Sequence, residues 1–382
     1  MLRKINRRIK GNLRKIRISI ARLRWDHSNK HHIKEKETFL NICEIKSILF
    51  LRADGKIGDM VISTFIFREI KKKYPNIKIG VVTKGGAKDI ISFNPYVDKI
   101  YDYGNKMSSV KKLAKKISEE KYDLLVEFYE EIKPMEIMFI SKSNAKYNMG
   151  LNKSDWKLFN VSLNENSDFK WDDHVSKRYI ACLEKIGFDI NNIDDSYEIF
   201  FDEQRKKEIE KIKLEYSDKN IILLNPFGAS KHRNFSDEII KKILNELKNQ
   251  KVILLYHGDK YDKIIGIASE YNNVIIPNGI KSILDSAMYI SIAGIVISPD
   301  TSIVHIADSF NKKIIGVYEY DGGILGSGEK VWGPRGKSNH KLVFTPKRKS
   351  TYDDFDVNNF DMREMNNAVK KFLLEGEKAN VL

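Results

Sequence analysis

Ile48-Leu49-Phe50-Leu51-Arg52-Ala53-Asp54-Gly55-Lys56-Ile57-Gly58-Asp59-Met60 decides the fold of this chain. An apolar run gives way to two glycines and Asp59, and a helix-like stretch follows as far as Tyr74-Pro75. That order is a strand, a tight turn and a helix, the opening unit of a nucleotide-type α/β domain. Glycine lets such a turn adopt backbone angles that other residues avoid. The turn delivers a carboxylate, Asp59, to the mouth of a cleft at a helix start. Neither a dinucleotide-binding G-x-G-x-x-G nor a Walker G-x-x-x-x-G-K-[ST] is present, so the turn serves another ligand arrangement. An ordinary βα turn whose Asp caps the helix explains the same residues. These residues alone leave both readings open.

A second segment repeats the theme. Ile295-Val296-Ile297-Ser298-Pro299-Asp300-Thr301-Ser302-Ile303-Val304-His305-Ile306-Ala307 is again a strand, a turn and a helix, with hydroxyls in the turn. A helix N-terminus beside Thr301 and Ser302 suits a phosphate. His305 follows Thr301 by four residues, which places both on one side of the first helical turn. The plainer reading is a Ser/Thr cap with a packed histidine.

Taken together and in this order, the two segments resemble glycosyltransferase family 9, the ADP-heptose:lipopolysaccharide heptosyltransferases. The family opens with a pattern similar to (I/V)-L-x-(I/V)-R-x-D-x-I-G-D, matched here by residues 48–59 with Gly55 added before Lys56. Its late signature resembles Pro299-Asp300-Thr301-Ser302-Ile303-Val304-His305-Ile306-Ala307. Between them, Asn225-Pro226-Phe227-Gly228-Ala229-Ser230-Lys231-His232-Arg233-Asn234-Phe235 is similar to the family's N-P-G-A and the basic-aromatic cluster after it. Phe235 stands where the family has Trp. The resemblance therefore implies either Lys231 or Arg233 as the counterpart of the family's phosphate-binding Lys, with Arg233 preferred because it lies two residues before the aromatic. Asn94-Pro95-Tyr96-Val97-Asp98 and Trp332-Gly333-Pro334 are weaker echoes.

Composition agrees with a folded enzyme that has one unusual end. The 382 residues are 42% hydrophobic and 31% charged, which is globular and sufficient for two cores. Cys43 and Cys182 are too few for a disulfide framework or a cysteine zinc site and read as small buried hydrophobes. Residues 1–24 hold ten of the 67 Lys and Arg and none of the 52 Asp and Glu, so they contribute +10 of the formal +15. Leu2, Ile5, Ile9, Leu13, Ile16, Ile20 and Leu23 recur every three or four residues and form one stripe on a helix. Basic residues interrupt every apolar run, which argues against a signal peptide. The stripe with its dense basic face predicts an interfacial helix over residues 2–25 on an anionic membrane. Packing on the protein and a nucleic-acid arm are the rival readings. The basic excess stays in one arm with no stacking platform beside it, so no nucleic acid is expected.

Along the chain, residues 1–40 read as the basic helix and a polar tether. In the tether the His31-His32 pair finds no further metal ligands at useful spacing. Residues 41–186 read as an N-terminal Rossmann-like domain, with strands near 46–52, 77–83 and 122–128 and helices near 59–73, 108–119 and 173–186. Residues 187–219 read as the crossing and 220–382 as a C-terminal Rossmann-like domain. There, strands are expected near 220–225, 251–256, 273–276, 294–298 and 313–318. Helices are expected near 236–248, 260–270, 282–290, 303–310 and 357–374, and 320–350 reads as irregular. Alternating strands and helices predict an α/β chain with parallel sheets and ligands beyond the strands' carboxyl ends.

The resemblance implies a GT-B arrangement of two Rossmann-like domains facing a cleft. It implies the acceptor on the N-terminal side and the nucleotide-sugar on the C-terminal side. Asp59 is then the candidate base, with Gly55 and Gly58 as its turn glycines. Lys231, Arg233, Asp300, Thr301, Ser302 and His305 are the candidate donor and phosphate residues. The implied reaction is inverting transfer of a heptose from ADP-heptose to a lipopolysaccharide-type glycolipid. The implied place is the cytoplasm, peripheral on the inner face of the cytoplasmic membrane. Asp353-Asp354-Phe355-Asp356 and Trp171-Asp172-Asp173 read as surface turns or caps, so no catalytic metal and no cofactor are expected. A nucleotide-sugar epimerase or hydrolase and a non-catalytic sugar-nucleotide binder are the alternatives.

Overall fold

The computed structural model describes residues 2–27, 44–216, 221–228, 231–320, 328–335, 339–346 and 356–379. Cys43, the His31-His32 pair with most of the tether, and Asp353–Phe355 lie outside them. Among the described residues, twelve strands form two six-stranded sheets. The first holds β1 (Ser47–Leu51), β2 (Lys78–Thr83), β3 (Lys99–Asp102), β4 (Leu124–Glu127), β5 (Tyr147–Leu151) and β6 (Val161–Leu163). The second holds β7 (Ile222–Leu224), β8 (Val252–Leu254), β9 (Val274–Ile275), β10 (Ile295–Pro299), β11 (Lys313–Tyr318) and β12 (His340–Phe344).

The sheet orders are β3-β2-β1-β4-β5-β6 and β12-β11-β10-β7-β8-β9, so both halves have the doubly wound Rossmann topology. Every pairing is parallel. Central strands covered by helices on both faces lose their alternation and become continuous apolar runs. Ile48, Leu49, Phe50 and Leu51 accordingly are all buried, as are Ile295, Val296 and Ile297. In such sheets the crevice lies where strand order reverses, between β1 and β4 in one half and β7 and β10 in the other. The residues just past those strands are Arg52, Phe128, Asn225 and Asp300, and the sites of the two sequence motifs are among them.

The two halves meet through their motif helices. The helix Ile57–Lys73 packs on the helix Ser302–Ser309. Gly58 makes that approach possible, since a Cβ on it would lie 2.9 Å from the His305 ring and 3.6 Å from Ser302 Cα. Residues 203–213, expected as part of the crossing, form the helix Glu203–Glu215, started by Asp202, whose carboxylate accepts from Arg205 N. The stretch 320–350, expected to be irregular, contains the helix Gly328–Trp332 and the strand β12. The helix Ile283–Ile292 starts with a capping box, Ser282 and Asp285 satisfying each other's backbone N–H groups.

The N-terminal helix Leu2–Trp25 lies on the helix Pro134–Ser143. It docks through Ala21, which is fully buried, with Ile18 and Trp25 against the same cluster as Ile137 and Phe139. Arg22 stacks 4.2 Å from the Trp156 ring and donates to Asp155 O, and the Asp26 carboxylate accepts from Leu158 N. The described part of the stripe read from the sequence, from Leu13 onward, is on another face. Leu13, Ile16, Ile20 and Leu23 are 45%, 54%, 59% and 82% exposed.

Candidate active site

The turn after β1 is built by three features. Gly55 has φ +68, and a Cβ there would lie 2.8 Å from Lys84 Cγ and 2.9 Å from Lys84 O, so conformation and space both select glycine. Asp54 accepts from Lys56 N through Oδ1, a short Asx turn. Tyr129, from beyond β4, accepts from Asp54 N through its hydroxyl. The helix then starts at Ile57, and its N-cap Lys56 makes no side-chain cap bond. Asp59 therefore sits inside the first turn and is no cap, so the plainer reading of this motif fails.

Asp59 is 8% exposed and forms an ion pair with Arg52, Oδ2 lying 3.1 Å from Nη2. The more exposed Lys56 ammonium stands 3.9 Å away. Arg52 is itself buried and donates through Nη1 to the Tyr179 hydroxyl. Burial raises the Asp59 pKa above the usual carboxylate range, while Arg52 works against that shift and Asp54 adds to it. The carboxylate is thus pushed toward a stronger base yet is kept oriented by a fixed cation.

Across the cleft, Asp300 follows β10 directly, and Thr301 caps the helix Ser302–Ser309 by accepting from Ile303 N. Asn225, at the end of β7, donates to Ser298 Oγ, Phe227 O and Thr301 Oγ1, tying the two switch-point turns together. Arg233 Nη1 contacts both Asp300 O and Asp300 Oδ2 at 3.0 Å. Gly228 permits this, because a Cβ there would meet Arg233 Cβ at 2.7 Å. Burial pushes Asp300 up, against Arg233. The Lys231 side chain lies outside the described part of the structure. Phe235 faces the core against Phe360 and lines no part of the cleft.

One cleft of about 930 Å³ collects these groups. Gly55, Gly58 and Asp59 line one wall, and Arg233, Asp300, Thr301, Ser302 and His305 line the other. Tyr256, His257, Asp259, Lys260, Ser286 and Trp332 also line the cleft. Sequence reading assigned none of these a role. The available signal was the apolar run of β8 leading into Tyr256-His257-Gly258-Asp259, another strand-to-turn junction facing the same cleft.

His305 was expected beside the phosphates, but it is 4% exposed, packed on Gly58 and edge-on to Tyr197. Burial, then His174 and Arg335, depress its pKa to about 3. It is neutral throughout the working range and serves the contact between the halves. A histidine held neutral in the fold, but free to charge below its ordinary value of 6.5 when unfolded, makes stability fall as pH drops from 6.5 toward 3. His305→Gln is expected to flatten the decline in unfolding free energy over that window by up to about 1.4 kcal/mol per pH unit. Chemical denaturation at pH 6.5 and pH 4.5 checks it, and an unchanged slope would show that His305 is not the group responsible.

The sequence profile described as glycosyltransferase family 9 (heptosyltransferase) matches residues 110–324. This chain belongs to that family, and it is a glycosyltransferase of GT-B fold. The putative lipopolysaccharide heptosyltransferase 4 of Escherichia coli strain K12 is 23% identical over 338 residues, covering 86% of this chain and 87% of that protein. The lipopolysaccharide core heptosyltransferase OpsX of Haemophilus influenzae is 20% identical, covering 72% and 79%. Among solved structures, a family 9 glycosyltransferase from Veillonella parvula superimposes with a TM-score of 0.72 at 15% identity, covering 90% of this chain and all of that one. The ADP-heptose lps heptosyltransferase II of E. coli gives 0.65 at 16% identity, covering 87% and 99%.

Proposed function

We propose that this chain transfers a heptose from ADP-heptose to a lipopolysaccharide-type glycolipid, with inversion at the anomeric carbon. The observation that carries the reading is the placement of Asp59, buried and paired with Arg52, across one cleft from Arg233 and the helix start at Thr301-Ser302. The acceptor hydroxyl gives its proton to Asp59 as its oxygen bonds to the anomeric carbon. The bond from that carbon to the diphosphate oxygen breaks, and ADP leaves with the electron pair. The helix N-terminus at Ser302 and the Arg233 guanidinium stabilise the charge gathering on the diphosphate. Tyr256, His257 and Asp259 are placed to meet the nucleoside, and the acceptor approaches from the side of Asp59. Asp300 fixes Arg233 in its working position.

A panel of nucleotide-sugars tested by thermal shift identifies the donor. ADP-heptose is expected to raise the melting temperature more than UDP-, GDP- or other ADP-sugars, and a clear preference for another member would overturn the ADP-heptose assignment. An epimerase or hydrolase on the same fold would bind donor equally well but would consume it without an acceptor.

A second part of the reading concerns the surface on which the enzyme works. Among the described residues no helix is long and apolar enough to cross a membrane. The outward Leu13, Ile16, Ile20 and Leu23, with the basic residues beside them, suit the interface of an anionic bilayer on the cytoplasmic side. The docked face is separate, so the helix holds the acceptor half against the lipid and is no loose tether. Ile16→Asp, Ile20→Asp and Leu23→Asp together should weaken sedimentation with phosphatidylglycerol vesicles by about tenfold or more while leaving the melting temperature unchanged. Equal sedimentation of wild type and variant would refute the membrane reading.

A further inference from the structure

Lys153 is a lysine with no exposed side-chain surface, in a turn that reads as polar. It lies just past β5, where the sheet leads back toward the switch point. Its ammonium donates to Tyr129 O at 2.8 Å, to Glu130 O at 2.9 Å and to Leu151 O, which uses all three N–H donors on backbone carbonyls. Glu127, the last residue of β4, is equally buried at 3.9 Å and accepts from Tyr129 N. Glu127 is in register with Leu51, the residue before Arg52. Replacing a buried ion pair by apolar residues is often neutral for stability, so stability alone is a weak reason for this one.

The segment it grips leads to the base. Tyr129 accepts from Asp54 N through its hydroxyl, and its ring lies 5.4 Å from the Arg52 guanidinium. Arg52 in turn holds Asp59. We propose that Lys153 is a positioning residue of the transferase site, pinning the backbone after β4 so that Tyr129 keeps Arg52 and the Asp54 turn set against Asp59. This rests on the reading of Asp59 as the base. Burial pushes the Glu127 carboxyl up to about 8 and lowers Lys153, each against the attraction of the other.

The test is the double variant Lys153→Met with Glu127→Gln, which removes both charges at similar volume. The assay uses ADP-heptose and a deacylated lipopolysaccharide fragment truncated before its heptose. Turnover should fall about ten- to a hundredfold with donor KM unchanged, as expected of a misplaced reacting group. The acid limb of the rate should also move to higher pH, because Arg52 restrains Asp59 less. The other groups facing Asp59 are Asp54 and Lys56 on its own turn, Arg178 and Tyr179 from the helix Ser176–Lys185, and neutral His305. None of these is altered by the variant. A lower melting temperature with unchanged turnover and acid limb would mean a structural role only and would overturn the proposal. If the double variant does not fold, Tyr129→Leu tests the same chain of contacts at its half-buried end, with the same two outcomes. Asp59→Asn is measured alongside. Normal turnover there removes the base and this proposal together, whereas an inactive Asp59→Asn beside a normal double variant defeats the Lys153 proposal alone.

Discussion

Asp59→Asn should lower turnover by on the order of 10²–10⁴ while leaving ADP-heptose binding nearly intact. The substitution keeps the shape of the side chain and one oxygen for Arg52, so the turn at Gly55 has no reason to move. What it removes is the ability to accept a proton. Asp59 is buried beside Arg52 and its pKa is raised by that burial, so the wild-type rate should climb with pH through a group titrating above the ordinary carboxylate range. The sign is fixed by the role: a base works deprotonated, and a raised pKa moves the acid limb upward. Asn has no such titration, and its residual rate should lose that limb. Near-normal turnover in Asp59→Asn would sink the assignment.

The second large effect belongs to the diphosphate. Arg233→Ala removes the cation and also strips Asp300 of its partner, leaving a half-buried carboxylate beside the proposed diphosphate position. Both changes oppose the donor. Donor affinity and rate together are expected to fall about ten- to a hundredfold, the range of a lost charge-assisted contact. Part of the loss should return in Arg233→Ala with Asp300→Asn, since the stranded carboxylate is then gone, and that coupling is what a double-mutant cycle reads. Lys231→Ala should cost less. A larger loss from Lys231 would mean that the basic cluster is aligned wrongly, and negligible losses from both would mean that this loop does not face the phosphates.

The two motif turns were legible in the sequence because each lies at a strand end where an apolar run stops and a helix begins. Doubly wound topology places such junctions at the switch point, and Asp59, Thr301 and Arg233 arrive in one cleft without long loops. The Arg52–Asp59 pair was not legible as a pair, because six residues separate the partners and only the fold closes the distance. His305 shows the opposite failure. Its spacing from Thr301 put it on the right side of the helix, but the neighbouring half claimed that side, and Gly58 supplied the room. Among strands, β3, β5, β6 and β12 do not stand out because polar or small residues break their apolar runs, as in Tyr147-Asn148-Met149-Gly150-Leu151, where Asn148 and Gly150 are buried. The helix Glu203–Glu215 was read as a crossing because it buries only Ile209 and Ile212, so its periodicity drowns in charge. Lys153 left no trace at all, since a lysine after an asparagine looks like an exposed turn until its three carbonyl partners are seen.

One measurement bears on the central claim most directly: consumption of ADP-heptose, followed with and without the deacylated glycolipid acceptor, together with the anomeric configuration of whatever is formed. ADP should appear only when acceptor is present, in step with a new glycoside of inverted configuration. Donor consumed at the same rate without acceptor, with heptose released or isomerised, would contradict it.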